Sequence, residues 1–158
     1  MTAAASTVLA SAETALAAHD YELAIEVLVG GGAELRGDTR AELRALLDES
    51  WARMSIGDLD SAIVRLERAR ALAETSVCDD TDRSEVLYQL GCCRLKSGAV
   101  SNAVRLLTVA LRLCEESPTS ATVCESTFSV GAPAVTGGSA TGSRPARTRT
   151  RRSSSEKS

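Results

Sequence analysis

The sequence predicts an all-α protein, and three observations lead to this class. Alanine and leucine dominate the chain, whereas Phe, Trp and Tyr make up only 3% of its 158 residues. This balance favours packed helices over sheets built from β-branched and aromatic residues. Apolar residues between positions 8 and 114 recur three and four apart, which is the period of amphipathic helices. Glycines and helix-capping sequences separate these periodic runs, as expected between successive helices.

The periodic runs predict six helices in order, near residues 5–17, 21–29, 39–55, 59–75, 83–97 and 99–116. Three consecutive glycines, at positions 30–32, are expected to stop the second helix. Two sequences have the spacing of a capping box, in which a side chain at the helix start and one three residues later each accept a backbone N–H. They predict the starts of the third and fifth helices, at Thr39 with Glu42 and at Asp82 with Glu85.

Three segments carry small residues at matching distances from a turn, which indicates an internal repeat. An alanine follows each turn residue by five positions; the pairs are His19 and Ala24, Gly57 and Ala62, and Gly98 and Ala103. The same helical face continues with large and small residues, namely Leu66 and Ala69 in the second segment and Leu107 and Ala110 in the third. Small residues on one face let a neighbouring helix approach closely, and Gly91 predicts such a crossing inside the third hairpin.

This arrangement resembles the tetratricopeptide repeat, a helix-turn-helix unit of 34 residues, over about residues 5–116. The third copy fits best, with Leu87, Leu90, Gly91, Gly98, Ala103, Leu107 and Ala110 at the positions of the family pattern. The departures are Glu49 at an apolar position, His19 at a turn glycine, Gly31 at the final alanine of the first copy, Arg53 and Arg94 at aromatic positions, and alanine spacings of 38 and 41. The resemblance therefore implies a divergent solenoid of about three helical hairpins, of a bacterial type. An ordinary helical bundle is the alternative.

The composition changes near Pro118 and divides the chain into a helical domain, 1–117, and a tail, 118–158. All 18 leucines precede Pro118, and the formal charge is −7 before it and +4 after it. The Ser-, Gly- and Arg-rich tail has little apolar surface to offset its ordering entropy, so it is predicted to be disordered. A second interpretation stays open: the tail is dominated by residue types with GC-rich codons (Ala, Gly, Pro and Arg), which fits a frameshift near residues 117–124 that removed a further repeat.

The resemblance implies that the first helix of each hairpin lines a concave groove for a peptide or helix of a partner protein. The groove residues so assigned are Leu47, Trp51, Met54, Tyr88, Cys92, Leu95 and Lys96, with Leu9, Glu13 and Leu16 from the first hairpin. This set is mostly apolar and holds one cation, which favours an apolar partner segment over an acidic one. The alternative is that Trp51 and Tyr88 simply pack between repeats.

Catalytic and metal chemistry are not predicted. The five cysteines include no CxxC pair, and the single histidine, His19, has no nucleophile motif beside it. We therefore expect no enzyme activity, no metal and no cofactor. An odd number of cysteines suits a reducing compartment, and no signal peptide or membrane span is recognisable, which predicts a cytoplasmic protein that does not bind membranes.

The remaining predictions concern partners. The basic run of the tail lacks aromatic residues for base stacking, so no specific nucleic-acid binding is expected; its members are Arg144, Arg147, Arg149, Arg151, Arg152 and Lys157. An uncapped last helix predicts self-association. Together these features predict a non-catalytic protein-interaction module. The alternative is a truncated sensory or regulatory fragment of a bacterial multidomain regulator.

Overall fold

A computed structural model describes residues 2–75 and 77–116, and these ranges form helices with no strand among them. The helices are α1 (Ala3–Ala17), α2 (Tyr21–Gly30), α3 (Gly32–Leu35), α4 (Thr39–Ile56), α5 (Leu59–Ala73), α6 (Asp80–Lys96) and α7 (Val100–Glu116). The predicted all-α class is confirmed for these ranges. The predicted disordered tail, 118–158, lies outside the described residues. No helix of the described part has both the length and the apolar character needed to cross a bilayer.

Aspartates cap α4 and α6, and the two capping boxes predicted from the sequence are wrong. At α4 the cap is Asp38, whose carboxylate accepts the Ala41 N–H at 3.1 Å. At α6 the cap is Asp79, which forms a reciprocal capping box with Asp82, so this helix starts three residues earlier than predicted. Aspartate is preferred over threonine as an N-cap, which explains why the cap precedes Thr39. The short helix α3 after the three glycines was not predicted.

The three hairpin turns share one backbone geometry. His19, Gly57 and Gly98 all have a left-handed conformation, with φ of 59°, 88° and 83°. In each turn the next residue donates its N–H to a carbonyl five residues earlier, at 2.9 Å in every case. This is the bond of a Schellman helix end, which usually uses glycine at the left-handed position. His19 is the one non-glycine residue with positive φ in the described ranges, and it keeps the turn that Gly57 and Gly98 form.

The helices pack in chain order. Each long helix contacts the next along the chain, and the first helices of successive hairpins also contact each other, α1 with α4 and α4 with α6. The main core lies between α4, α5 and α6, and its fully buried side chains include Leu43, Leu66 and Leu90. A smaller core, rich in alanine, joins α1 to α2, α3 and the start of α4. The fold is therefore a row of three helical hairpins.

The predicted packing residues are nearly all buried. All but one are buried, namely Ala24, Ala62, Leu66, Ala69, Gly91, Ala103 and Ala110, and the remaining one, Leu107, is half-buried. A Cβ added to Gly91 would lie 2.8 Å from the Leu107 side chain and 3.5 Å from the Ala103 carbonyl oxygen. The absence of a side chain at Gly91 thus allows α6 and α7 to approach closely.

Ion pairs join α4 to α5 at Glu49, where the repeat pattern predicts an apolar residue. The buried Glu49 carboxylate accepts hydrogen bonds from the Arg53 Nε at 2.8 Å and from the Arg65 Nε at 3.0 Å. Arg53 also donates to Asp58, the N-cap of α5, at 2.9 Å. Glu49 and Arg53 both depart from the repeat pattern, and the structure shows that the two departures pair with each other.

Candidate binding cleft

A cleft of about 380 Å³ opens between the first helices of the three hairpins, α1, α4 and α6. Buried leucines lie at its base, namely Leu9, Leu43 and Leu47. Charged side chains surround them: Glu13 from α1, Arg40 and Arg44 from α4, and Asp82 and Glu85 from α6. The cleft thus combines an apolar base with a polar rim, as small binding sites in proteins commonly do.

Helical spacing brings these side chains to the cleft. Arg40, Arg44 and Leu47 are separated by four and three residues, which places them on one face of α4. Leu9 and Glu13 are likewise one turn apart on α1. Because α4 lies between its neighbours α1 and α6, its charged face is opposite carboxylates from both of them.

Both arginines of the cleft are held by carboxylates. The Arg40 guanidinium pairs with Asp79 and Asp82 at 3.2 and 3.3 Å. The Arg44 guanidinium pairs with Asp48 at 3.3 Å along α4 and with Glu85 at 3.6 Å across to α6. Arg40 and Arg44 therefore connect α4 to α6, and neither guanidinium is left without a carboxylate partner.

Asp48 is a buried carboxyl at the edge of this charged group. Its side chain is 8% exposed, Oδ1 pairs with Arg44, and Oδ2 has no hydrogen-bond partner among the described residues. Burial raises the pKa of Asp48 to about 6, with Arg44 opposing the rise and the charges of Glu13 and Glu85 adding to it. Burial also raises the pKa of Glu85. Negative charge is therefore costly here and incompletely compensated.

The charges around the cleft do not balance. Glu13 makes no ion pair within the described ranges, and Arg40 and Arg44 are the cations that line the cleft. Five carboxyl groups belong to this set, namely Glu13, Asp48, Asp79, Asp82 and Glu85. This excess of carboxyl groups over guanidiniums favours a cationic ligand over an anionic or purely apolar one.

The structure places the residues assigned to the groove in different surroundings. Leu47 lines the cleft, together with Leu9 and Glu13. Met54 is buried in the main core, and Trp51 and Cys92 are half-buried against that core. Tyr88 is half-buried, whereas Leu95 and Lys96 are exposed near the end of α6. Only part of the predicted set therefore lies together at one opening.

Apart from Glu13, the charged members of the cleft were missed by sequence reasoning. Arg40, Arg44 and Asp48 recur every four residues along α4, and Asp82 and Glu85 are three apart on α6. The same periodicity that identified apolar faces was thus present in the charged residues. The ion pairs between these arginines and carboxylates depend on how α4 packs against α6. No local sequence pattern could therefore predict which residues pair.

A second cleft, of about 260 Å³, lies between α5, α6 and α7. Its apolar surface includes Leu87, Leu106 and Val109. Its charged lining differs in sign from that of the first cleft, because it holds three arginines and one glutamate, namely Arg70, Arg83, Arg105 and Glu74. The two clefts therefore favour ligands of opposite charge.

Neither His19 nor any cysteine of the described ranges is among the residues that line these two clefts. In the part of the chain that the structure describes, no group of three His, Cys, Asp or Glu side chains is arranged to hold a metal ion. Burial raises the pKa of the Cys92 and Cys93 thiols, which leaves them protonated at neutral pH. The His19 Nδ1 lies 3.1 Å from the Tyr21 hydroxyl at the first hairpin turn.

In comparisons with known proteins, no protein-family model matches this chain and no curated protein sequence matches it significantly.

Proposed function

We propose that this protein is a non-catalytic interaction module, built as a divergent tetratricopeptide-like solenoid, that binds a segment of a partner protein. The observation that carries the proposal is the cleft between α1, α4 and α6, with its buried leucines and charged rim. A peptide or helix that inserts an apolar side chain and presents polar groups to the rim would use both features.

Two features support the solenoid. The three hairpins share the left-handed turn and its 2.9 Å closing hydrogen bond. The first helix of each hairpin contacts the first helix of the next, which is the contact pattern of stacked repeats. Stacking of this kind places the three first helices side by side, so their exposed faces together form the cleft.

Buried thiols support a reducing compartment such as the cytoplasm. Cys78 and Cys93 are buried in the packed domain and form no disulfide with each other. Disulfides form and persist mainly in oxidising compartments.

A peptide selection with a steric block tests the binding proposal. Ala10 is exposed and lines the cleft, so Ala10→Trp fills the opening without disturbing the core. Peptides would be selected on the full-length chain from an unbiased displayed library, and their Kd measured by fluorescence polarisation. We expect at least a tenfold loss of affinity for the Ala10→Trp variant.

The matched control is Ala17→Trp, at an exposed position of the same helix that does not line the cleft. We expect this variant to bind the selected peptides as the unmodified chain does. Selected peptides that bind the Ala10→Trp variant with unchanged affinity would refute the cleft as the binding site.

A further inference from the structure

We propose that the cleft between α1, α4 and α6 is occupied by the chain's own basic segment, residues 144–152, which competes with a partner protein. The inference rests on the proposed binding role of this cleft and adds the chemistry of its occupant. An arginine-rich stretch from the same chain is the ligand class that the charges of the cleft favour.

Charge complementarity is the first argument. The residues that line the cleft and the carboxylates that pair with its arginines together comprise five carboxyl groups and two guanidiniums. Both guanidiniums already pair with carboxylates. Segment 144–152 contains five arginines and no acidic residue. A guanidinium forms two parallel hydrogen bonds with a carboxylate, which gives such a pair both strength and direction. Glu13, which has no ion pair in the described ranges, and the partly exposed Glu85 are the groups that such arginines would meet first.

The spacing of the arginines is the second argument. Arg147, Arg149 and Arg151 alternate with threonines. An extended backbone would present these three guanidiniums on one side, at intervals of roughly 7 Å. The acidic side chains of the cleft come from two separate helices, Glu13 from α1 and Glu85 from α6. A row of spaced guanidiniums can contact both groups, whereas a single cation can contact only one.

Chain length permits the contact. Arg144 follows Glu116, the last residue of α7, by 28 residues. A connection of that length can span at most roughly 90 Å. The longest helix, α4, has 18 residues and is therefore about 27 Å long. The segment can reach the cleft from the end of α7, and linkage raises its effective concentration there, typically to the millimolar range.

The second cleft provides an internal comparison. It exposes apolar surface too, but its three arginines and one glutamate would repel an arginine-rich segment. The occupant is therefore expected at the opening between α1, α4 and α6 and not at the one between α5, α6 and α7.

Photo-crosslinking of the full-length chain tests the proposal directly. Thr148, between two of the arginines, would be replaced by the photo-crosslinker p-benzoylphenylalanine, and the dilute protein irradiated and mapped by mass spectrometry. We expect crosslinks within one chain to the residues of α1, α4 and α6 that line the cleft. The double substitution Glu13→Gln and Glu85→Gln should lower their yield at least fivefold, because it removes two of the carboxylates that the segment would meet.

A charge-matched control distinguishes binding in the cleft from non-specific electrostatic attraction between the basic segment and the acidic helices. Glu22→Gln with Glu26→Gln removes the same charge from exposed positions of α2 outside the cleft, and should leave the crosslink yield within twofold. Crosslinks scattered over other helices, crosslinks between two chains, or an equal loss in the control would overturn the proposal. Library peptides that still require an open cleft would then leave the proposed function intact, so the two failures are distinguishable.

Discussion

The second hairpin (α4 and α5) and the third (α6 and α7) follow the same register with an offset of 41 residues, yet they bury different amounts of surface. Asp38 and Asp79 cap their first helices, and Gly57 and Gly98 form their turns. Their second helices differ: Leu66 on α5 is fully buried, whereas the equivalent Leu107 on α7 is half-buried.

The difference arises from the neighbours of these helices. Helix α6 packs on α5, and Ile63 of α5 is half-buried against the main core. Helix α7 has α6 as its main neighbour among the described elements, and its Val104, which corresponds to Ile63, is 56% exposed. The repeat therefore determines which face of a helix is apolar, and the next helix determines whether that face is buried.

The largest expected effect comes from truncating the equivalent leucines. Leu66→Ala should lower the free energy of unfolding by about 4 kcal/mol, because it leaves a cavity in a fully buried site. Leu107→Ala should cost about half as much, since Leu107 keeps part of its surface in solvent. Urea unfolding of both variants measures the difference. Equal losses would show that α7 is covered as completely as α5.

The ion pair between Glu49 and Arg65 in the second hairpin can be replaced by the apolar pair found at the equivalent positions of the third. Glu49→Ala leaves Arg53 and Arg65 without their shared carboxylate and should cost about 3 kcal/mol. The third hairpin has Leu90 and Leu106 where the second has Glu49 and Arg65. Glu49→Leu combined with Arg65→Leu copies that apolar pair and should restore most of the loss, because well-packed apolar residues often replace a buried ion pair without cost. Urea unfolding of both variants measures the recovery. A double variant no more stable than Glu49→Ala would contradict this expectation.

Asp48 gives the second hairpin a buried titratable group at a position where the third hairpin has the neutral Gln89. The folded-state pKa of Asp48, about 6, exceeds its ordinary value of 3.8, so the folded protein binds the extra proton between these values. The contribution is therefore stabilising at low pH and declines as pH rises through 6, by on the order of 2 kcal/mol.

Asp48→Gln should remove that part of the pH dependence, as measured by urea unfolding from pH 4 to 7. Glu85, whose pKa is raised by burial as well, contributes a slope of the same sign that remains in both proteins. The difference between the two curves therefore reports on Asp48 together with its electrostatic coupling to Glu85. Parallel curves would show that its proton is not retained in the folded state.

The smallest expected effect on folding concerns the outer face of α7. Val104→Glu should change the free energy of unfolding by no more than about 0.5 kcal/mol, because the side chain is already in solvent. Ile63→Glu, at the equivalent position of α5, should lower the free energy of unfolding by more.

If exposed Val100, Val104 and Leu111 mediate self-association, sedimentation velocity should show dimers that Val104→Glu abolishes. A monomeric unmodified chain would contradict this association.

Local patterns predicted the six longer helices, the three hairpin turns and the small residues buried on their faces. Apolar periodicity identifies a helix without knowledge of its neighbours, and Gly57 and Gly98 indicate left-handed turns on their own. The Glu49 ion pairs and the contact between Arg44 and Glu85 join residues on different helices, and no local rule selects those partners. The apolar groove remains a prediction, whereas the charged cleft emerged only from the packing of α1, α4 and α6.

The fluorescence of Trp51 can be used to follow the thermal unfolding of the three hairpins. It is the only tryptophan in the chain, and it lies on the central helix α4 against the main core. Its emission therefore follows the middle of the stack, whereas circular dichroism averages over all helices. If the alanine-rich first hairpin frays before the rest, ellipticity falls while the emission maximum holds. Superimposable curves from the two signals would mean that the hairpins unfold as a single cooperative unit.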